Sequence, residues 1–264
     1  IAGTFEENCF DESELSKLQT KFMRYLSTAS MSEKKIQEEK DNLKELITNI
    51  SHQTKTPLTN ILMYSELLTE VAATEQEKEY AGEVFAQGKK LESLIEALVK
   101  MSHLETGIFQ YQKKETAYRE IIHKAVEQAL PKASEKNISI LVRDVGRYRS
   151  YVDEKWVIEA VYNILDNGIK YSGEGTTVYI EEFSYEFFSG IRITDQGIGI
   201  SEEEIPLLFG RFYRGRSAHD KEGIGVGLFL AREIVENNGG YIKVTSQVGT
   251  GSRFDVCFPN ISTL

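Results

Sequence analysis

The 264-residue chain is 41% hydrophobic and 10% aromatic, enough for a real core in one large domain or two ordinary ones of roughly 100–200 residues, which excludes wholesale disorder. Acidic residues outnumber basic ones 41 to 31, a net charge of −10, so no nucleic-acid partner is expected. Cys9 and Cys257 have neither metal-ligand nor disulfide spacing and read as reduced thiols. With no apolar run near the ~18 residues of a membrane span and no signal peptide, the chain as given is expected to be cytoplasmic, any membrane-bound sensor segment lying upstream of Ile1.

Residues 1–32 carry a weak helical stripe at Leu15, Leu18, Phe22 and Leu26, which fits either a signalling helix or a partly ordered leader. From 33 to 104 the texture is strongly helical. Ile36, Leu43 and Ile50 recur every seven residues, and the stripe continues through Leu58, Ile61, Leu62, Tyr64 and Leu68. A second helix over about 75–104 repeats Val84, Leu91 and Leu98, and the 72–74 connection is short enough for a helical hairpin. Two helices cannot enclose both apolar stripes, so a homodimer forming a four-helix bundle is expected.

His52 lies two positions beyond Ile50, roughly 200° around the helix, and should face solvent. Thr56, one turn later, shares its face. Pro57 removes the bond to the Gln53 carbonyl and is expected to interrupt or bend the helix beside the histidine. His103, His123 and His219 form no ligand cluster and read as surface or satisfied residues.

Beyond Gly107 short β-type runs at 109–111, 138–142, 177–183, 190–194, 241–246 and 253–258 alternate with helical stretches at 118–130, 155–170 and 227–237. This predicts an α/β sandwich with helices on one face of a mixed sheet. Phe254, Val256 and Phe258 share one strand face and Asp255 and Cys257 the other, so Cys257 reads as a packing residue.

Asn163 and Asn167 share a helical face with Lys170, and two amide oxygens beside an ammonium suit a Mg²⁺ held mainly by substrate phosphates. Asp195, Gly197 and Gly199 follow a strand directly. Glycine permits a tight turn there, and the carboxylate can accept from an exocyclic amine. Gly223, Gly225, Gly227 and Leu228 open a helix whose backbone N–H groups suit a phosphate. The dinucleotide fingerprint fails, because Leu228 and Glu202 occupy the third-glycine positions. The phosphate-loop match at 210–217 contains Phe212, Tyr213 and Arg214, too bulky to wrap phosphates.

In order, 163–171, 195–199, the Phe209 and Phe212 segment, 223–227 and 249–251 resemble the N, G1, F, G2 and G3 boxes of bacterial sensor histidine kinases, and 51–58 resembles their H box. The resemblance covers about residues 40–259. It implies a helical hairpin, forming a dimeric four-helix bundle, followed by an α/β sandwich ATP-binding domain of the histidine kinase, Hsp90 and gyrase type. The implied division is 1–39 a helical linker or signalling segment, 40–106 the dimerisation and histidine phosphotransfer domain, and 107–264 the catalytic ATP-binding domain.

The implied chemistry is phosphoryl transfer from ATP·Mg²⁺ to His52 and then to an aspartate of a response regulator receiver domain. Asn163 and Asn167 would hold the metal. Lys170, Tyr171, Asp195, Gly197, Gly199, Arg214, Gly223, Gly225, Gly227 and Leu228 would bind nucleotide, Arg216 standing beside Arg214 as a second candidate. Residues 211–222 would form a flexible lid. Gln53 stands where the family usually has an acid. It can hydrogen-bond the ring but cannot take its proton, which implies slower autophosphorylation. Thr56 matches the position that assists dephosphorylation of the regulator, and Gly168 stands where alanine is common. The same ATP fold occurs in ATPases that use a glutamate base one turn before the metal-binding asparagine. Asn163 occupies that place here and cannot serve as a base, which disfavours water activation and favours transfer to His52; an ATPase, or a nucleotide-binding scaffold suggested by Gln53, are the alternatives.

Overall fold

The structure, a computed structural model, describes residues 14–105, 111–215 and 223–261; Cys9, Arg216 and most of the 109–111 run lie outside them, as does the side chain of His52. Two helices, α1 (Glu14–Val71) and α2 (Glu75–Glu105), form a hairpin. Thr74 and Glu77 make its turn a capping box. The Glu77 N–H donates to Thr74 Oγ1 at 3.2 Å, while Glu77 Oε2 accepts from the N–H groups of Ala73 and Thr74 at 2.9 and 3.0 Å. Those backbone donors hold the Glu77 carboxyl below the usual carboxylate value.

The seam inside the hairpin is made by Leu58, Leu62 and Ala81, with Gly88 so close to Leu62 that an added Cβ would lie 2.8 Å from its Cδ2. Ile36, Ile50, Val84, Leu91 and Leu98, the seven-residue series, remain 42–52% exposed. The heptad stripe thus faces away from the seam. One expectation needs correction. The helix is not interrupted at Pro57 but runs through it, because a proline removes one ladder bond while Leu58 and Leu62 immediately after it are buried against α2. From Glu14 the N-terminal stripe is helical and continuous with the rest of α1.

The remaining elements are β1 (Lys114–Ala117), α3 (Tyr118–Glu135), β2 (Ser139–Arg143), β3 (Arg149–Val152), α4 (Glu154–Tyr171), β4 (Thr177–Ser184), β5 (Phe188–Thr194), a 3₁₀ turn (Ile205–Leu207), α5 (Gly227–Asn237), β6 (Tyr241–Gln247) and β7 (Gly251–Pro259). The main sheet has the order β2-β4-β5-β7-β6, with β2 parallel to β4 and the other pairs antiparallel. β1 and β3 form a small antiparallel pair. Tyr111 is not in a strand, so the first strand lies later than the 109–111 run suggests. It forms where 114–117 finds a partner in 149–152. α3 also continues past Pro131 to Glu135, carried by fully buried Ala129 and Ala133.

Ile121, Ile122 and Ala125 of α3, Val161, Ile164 and Leu165 of α4, and Ile234 and Val235 of α5 close over Ile180, Ile191, Ile193, Val256 and Phe258 of the sheet. Burial of these apolar faces is the main term holding the module together. The opposite face of β7 is buried too. Asp255, 1% exposed, accepts from Arg192 Nε at 2.7 Å and Nη2 at 3.2 Å, and that guanidinium lies 4.7 Å from the Phe183 ring centroid. Cys257 is buried, and burial pushes its thiol pKa up, as fits a packing residue. Met101 of α2 enters the module's core, and Lys100 pairs with Glu159 of α4 at 2.6 Å, seating the hairpin against it.

Candidate nucleotide site

α4 is anchored at its start by Asp153. The carboxylate accepts from the N–H groups of Trp156 at 3.3 Å and Gln112 at 2.9 Å, and the Asp153 N–H donates to Asn238 Oδ1 at 2.8 Å. With one face of α4 in the core, the other presents Glu159, Asn163, Asp166, Asn167 and Lys170 to a cleft. Asn163 Nδ2 donates to the Glu159 carbonyl at 2.8 Å, which turns Oδ1 toward the start of α5. A Cβ on Gly227 would lie 2.9 Å from that oxygen, so glycine there lets α5 approach the amide. Lys170 carries its ammonium over the Tyr171 ring, 4.7 Å from the centroid, and beside Gly223.

Asp195 stands at the end of β5 and is 8% exposed. Its Oδ1 accepts from the N–H groups of Gly197 at 2.8 Å and Ser252 at 3.2 Å. Burial pushes its pKa up, and these two donors pull against that shift. Gly199 has φ +70°, and a Cβ there would fall on the Gln247 carbonyl oxygen. The loop is tied to α4 by a bridge between Ser172 and Gly197 and by the Ile198 N–H donating to the Tyr171 carbonyl at 3.3 Å.

The third part is the start of α5 and the loop before it. Val226 at its N-cap supplies no side-chain acceptor. Gly225, at φ +78°, packs against the backbone of Phe212 and Tyr213. Tyr213 donates its hydroxyl to Glu204 Oε1 at 3.3 Å, and Arg211 lies 5.1 Å from the Phe229 ring centroid. These contacts fix the root of the expected lid. Phe209 is buried, whereas Phe212 is exposed.

The three parts meet in a cleft of about 1330 Å³ lined by Asn163, Asn167, Lys170, Tyr171, Asp195, Gly199, Arg214, Gly223, Gly225, Gly227 and Leu228. Of the described residues expected at the nucleotide site, Gly197 alone does not line it. It lies behind Asp195, holding the carboxylate through its N–H. Gln53 and Thr56 of α1 are exposed and not part of this cleft. Sequence reasoning missed Ser252, whose N–H holds Asp195 from 57 positions away; the glycine at 251, with φ +124°, was the available signal. It also missed the wall that α2 contributes through Phe85, Lys89, Lys90 and Lys100. Among the described residues no cluster of three or more His, Cys, Asp or Glu side chains forms, and none of the helices is long and apolar enough to cross a membrane.

Comparison with known proteins matches residues 42–107 to the His Kinase A (phospho-acceptor) domain and 152–261 to the histidine kinase-, DNA gyrase B- and HSP90-like ATPase. The sensor-like histidine kinase SenX3 of Mycolicibacterium smegmatis is 29% identical over 219 residues, covering 82% of this chain and 57% of its own length. The autoinducer 2 sensor kinase/phosphatase LuxQ of Vibrio cholerae is 27% identical over 226 residues, covering 81% of this chain and 26% of itself. The chain therefore spans between about a quarter and a little over half of these relatives. Among solved structures, full-length ShkA in complex with AMPPNP has a similar fold, with TM-score 0.66 and 21% identity, covering 82% of this chain and 46% of that one. Acinetobacter baumannii histidine kinase AdeS superposes with TM-score 0.58 at 19% identity, covering 80% of this chain and 98% of that one. The phosphoacceptor hairpin and the ATPase-type module, in that order along one polypeptide, make this chain a member of the sensor histidine kinase family.

Proposed function

We propose that the chain phosphorylates itself on His52 with ATP and passes the phosphoryl group to an aspartate on a response regulator. The observation that carries this reading is the meeting, in one cleft, of the Asn163 and Asn167 face, the buried Asp195 carboxylate and the uncapped start of α5. Asp195 has one oxygen held by two backbone donors, an arrangement that presents a carboxylate to the adenine amino group. The N–H groups opening α5, with Lys170 and Arg214, suit the phosphates. The Asn163 amide, oriented by Glu159, fits a divalent cation, and Asn167 stands one turn beyond it. Bound there, Mg²⁺ would neutralise phosphate charge.

In the transfer an imidazole nitrogen of His52 supplies the electron pair to the γ-phosphorus. The N–P bond forms, the bond to the β-phosphate oxygen breaks, ADP leaves, and the ring gives up a proton to solvent water. Gln53 orients the ring without accepting that proton, and the amide of Asn163 cannot act as the base that water activation needs. In the second step the N–P bond breaks as the regulator's carboxylate takes the phosphoryl group. Thr56, one turn from His52 and exposed, would position water for the opposing activity, hydrolysis of the regulator's aspartyl phosphate to free phosphate. The exposed series Ile36, Ile50, Val84, Leu91 and Leu98 supports pairing with a second copy in a four-helix bundle. Residues 1–39 act as the signalling segment, 40–106 as the dimerisation and phosphotransfer unit, and 107–264 as the catalytic unit; the chain is the cytoplasmic part of a larger sensor.

Incubating the chain with γ-labelled ATP and Mg²⁺ tests this directly. Acid-labile label on the protein, lost in His52→Ala, supports the kinase. Free phosphate without labelled protein means an ATPase, and nucleotide binding alone means a scaffold.

A further inference from the structure

We propose that Lys136 is a positioning residue for the nucleotide site, an ammonium cap that holds the C-terminal end of α4 against the Asp195 loop; this rests on the nucleotide reading of the cleft. Lys136 directly follows α3 and reaches across to α4, where Nζ donates to the carbonyls of Ile169 at 3.0 Å, Lys170 at 2.6 Å and Ser172 at 2.9 Å. An ammonium has three N–H donors, enough to serve all three carbonyls. Although Lys136 borders the cleft, its donors are directed at the backbone, which separates it from Lys170 and Arg214.

The carbonyls it holds are those that the end of a helix leaves without partners, and they carry the negative end of the helix dipole. Backbone closure there amounts to the Ser172 N–H donating to the Gly168 carbonyl at 3.2 Å. The same three-residue stretch performs two other jobs. Lys170 sends its ammonium toward Gly223, and Tyr171 accepts from the Ile198 N–H while Ser172 bridges Gly197. Gly197 in turn donates to Asp195. A hydrogen-bonded path thus runs from Lys136 through the end of α4 to the carboxylate at the far side of the cleft. Lys132, one turn earlier, pairs with Asp166 at 2.6 Å beside Asn167, adding a second and more exposed tie between α3 and the same face.

The test combines amide hydrogen exchange with titration of Mg²⁺·ATP into the full chain. In Lys136→Met the Ile198 and Ser172 amides should exchange about tenfold faster and the dissociation constant should rise about tenfold, while the Ile193 amide in β5 keeps its rate. Lys136→Arg, which retains a cationic donor, should stay within about threefold of the wild type on both measures. Lys124→Met, which removes a lysine paired with Glu154 at the other end of α4, should change neither. Should Lys136→Met not fold, Lys136→Gln takes its place under the same criteria. Unchanged Ile198 exchange and affinity would overturn the proposal, as would equal acceleration at Ile193, which signals general loss of stability. A wild-type chain that binds no Mg²⁺·ATP would refute the nucleotide reading instead, and the exchange comparison would still decide whether Lys136 holds the loop.

Discussion

Replacing Gly168 with alanine should stabilise the catalytic module without harming its site. Gly168 lies on the buried side of α4, 15 residues past its anchor Asp153, where a glycine weakens the helix by about 0.8–1 kcal/mol relative to alanine. The added Cβ would meet Asp195 Cβ at 3.4 Å and the two methyls of Val178 at 3.5 and 3.7 Å, which is ordinary packing distance. No backbone atom is displaced and φ lies in the helical range, so the helix gain is not offset by strain. A net stabilisation of ~1 kcal/mol should raise the Tm of this ~150-residue module by about 2–4 °C in scanning calorimetry. Because the methyl touches Asp195, the scan should be repeated with Mg²⁺·ATP, and the ligand-induced increment should match the wild type. A lower Tm would refute the packing argument. A higher Tm with the increment lost would mean that the methyl pushes Asp195 off its Gly197 and Ser252 donors.

Asp195→Asn should lower nucleotide affinity at least about tenfold, since an amide nitrogen replaces an accepting oxygen. The pH dependence has a definite sign: the folded pKa is raised, so this carboxyl's stabilising contribution is complete below its unfolded value of 3.8 and is lost as pH rises through the higher folded value. The asparagine variant should therefore show a flatter Tm against pH above about 4 and a neutral-pH Tm no lower than the wild type; a steeper profile would contradict this. Gly199→Ala should cost at least ~2 kcal/mol in chemical denaturation and abolish nucleotide binding, because φ is +70° and the methyl lands on the Gln247 carbonyl. Arg192→Met removes the hydrogen-bonded partner of Asp255, 1% exposed, leaving the Arg253 Nε at 3.6 Å as its remaining cation, and should destabilise by about 3 kcal/mol while leaving the nucleotide affinity of the remaining folded protein unchanged.

The parts legible in the sequence are those where local chemistry and tertiary packing agree. Residues 227–237 form α5 with the bounds that the glycines and the apolar stripe suggest, and the 72–74 turn carries its own capping signal in Thr74 and Glu77. β1 and β3 were not legible. Lys114–Ala117 buries only Thr116 and has no strand pattern of its own, being extended because 149–152 lies beside it. Pro57 misleads for the opposite reason, as a strong local breaker is overridden by Leu58 and Leu62 packing on α2. At the site the residues that carry recognisable chemistry, Asn163, Asn167, Lys170 and Asp195, could be read from spacing. The backbone of Ser252, the ammonium of Lys136 and the α2 wall depend on how distant segments dock.

The central claim is most directly tested by locating the phosphoryl group. After incubation with sub-saturating ATP and Mg²⁺ and proteolysis at neutral or alkaline pH, tandem mass spectrometry of the peptide spanning residues 45–55 should place a single phosphate on His52, its yield reduced when Asp195→Asn is treated identically. Phosphate on Ser51 or Thr54, or an unmodified peptide while ATP is consumed, would contradict the account.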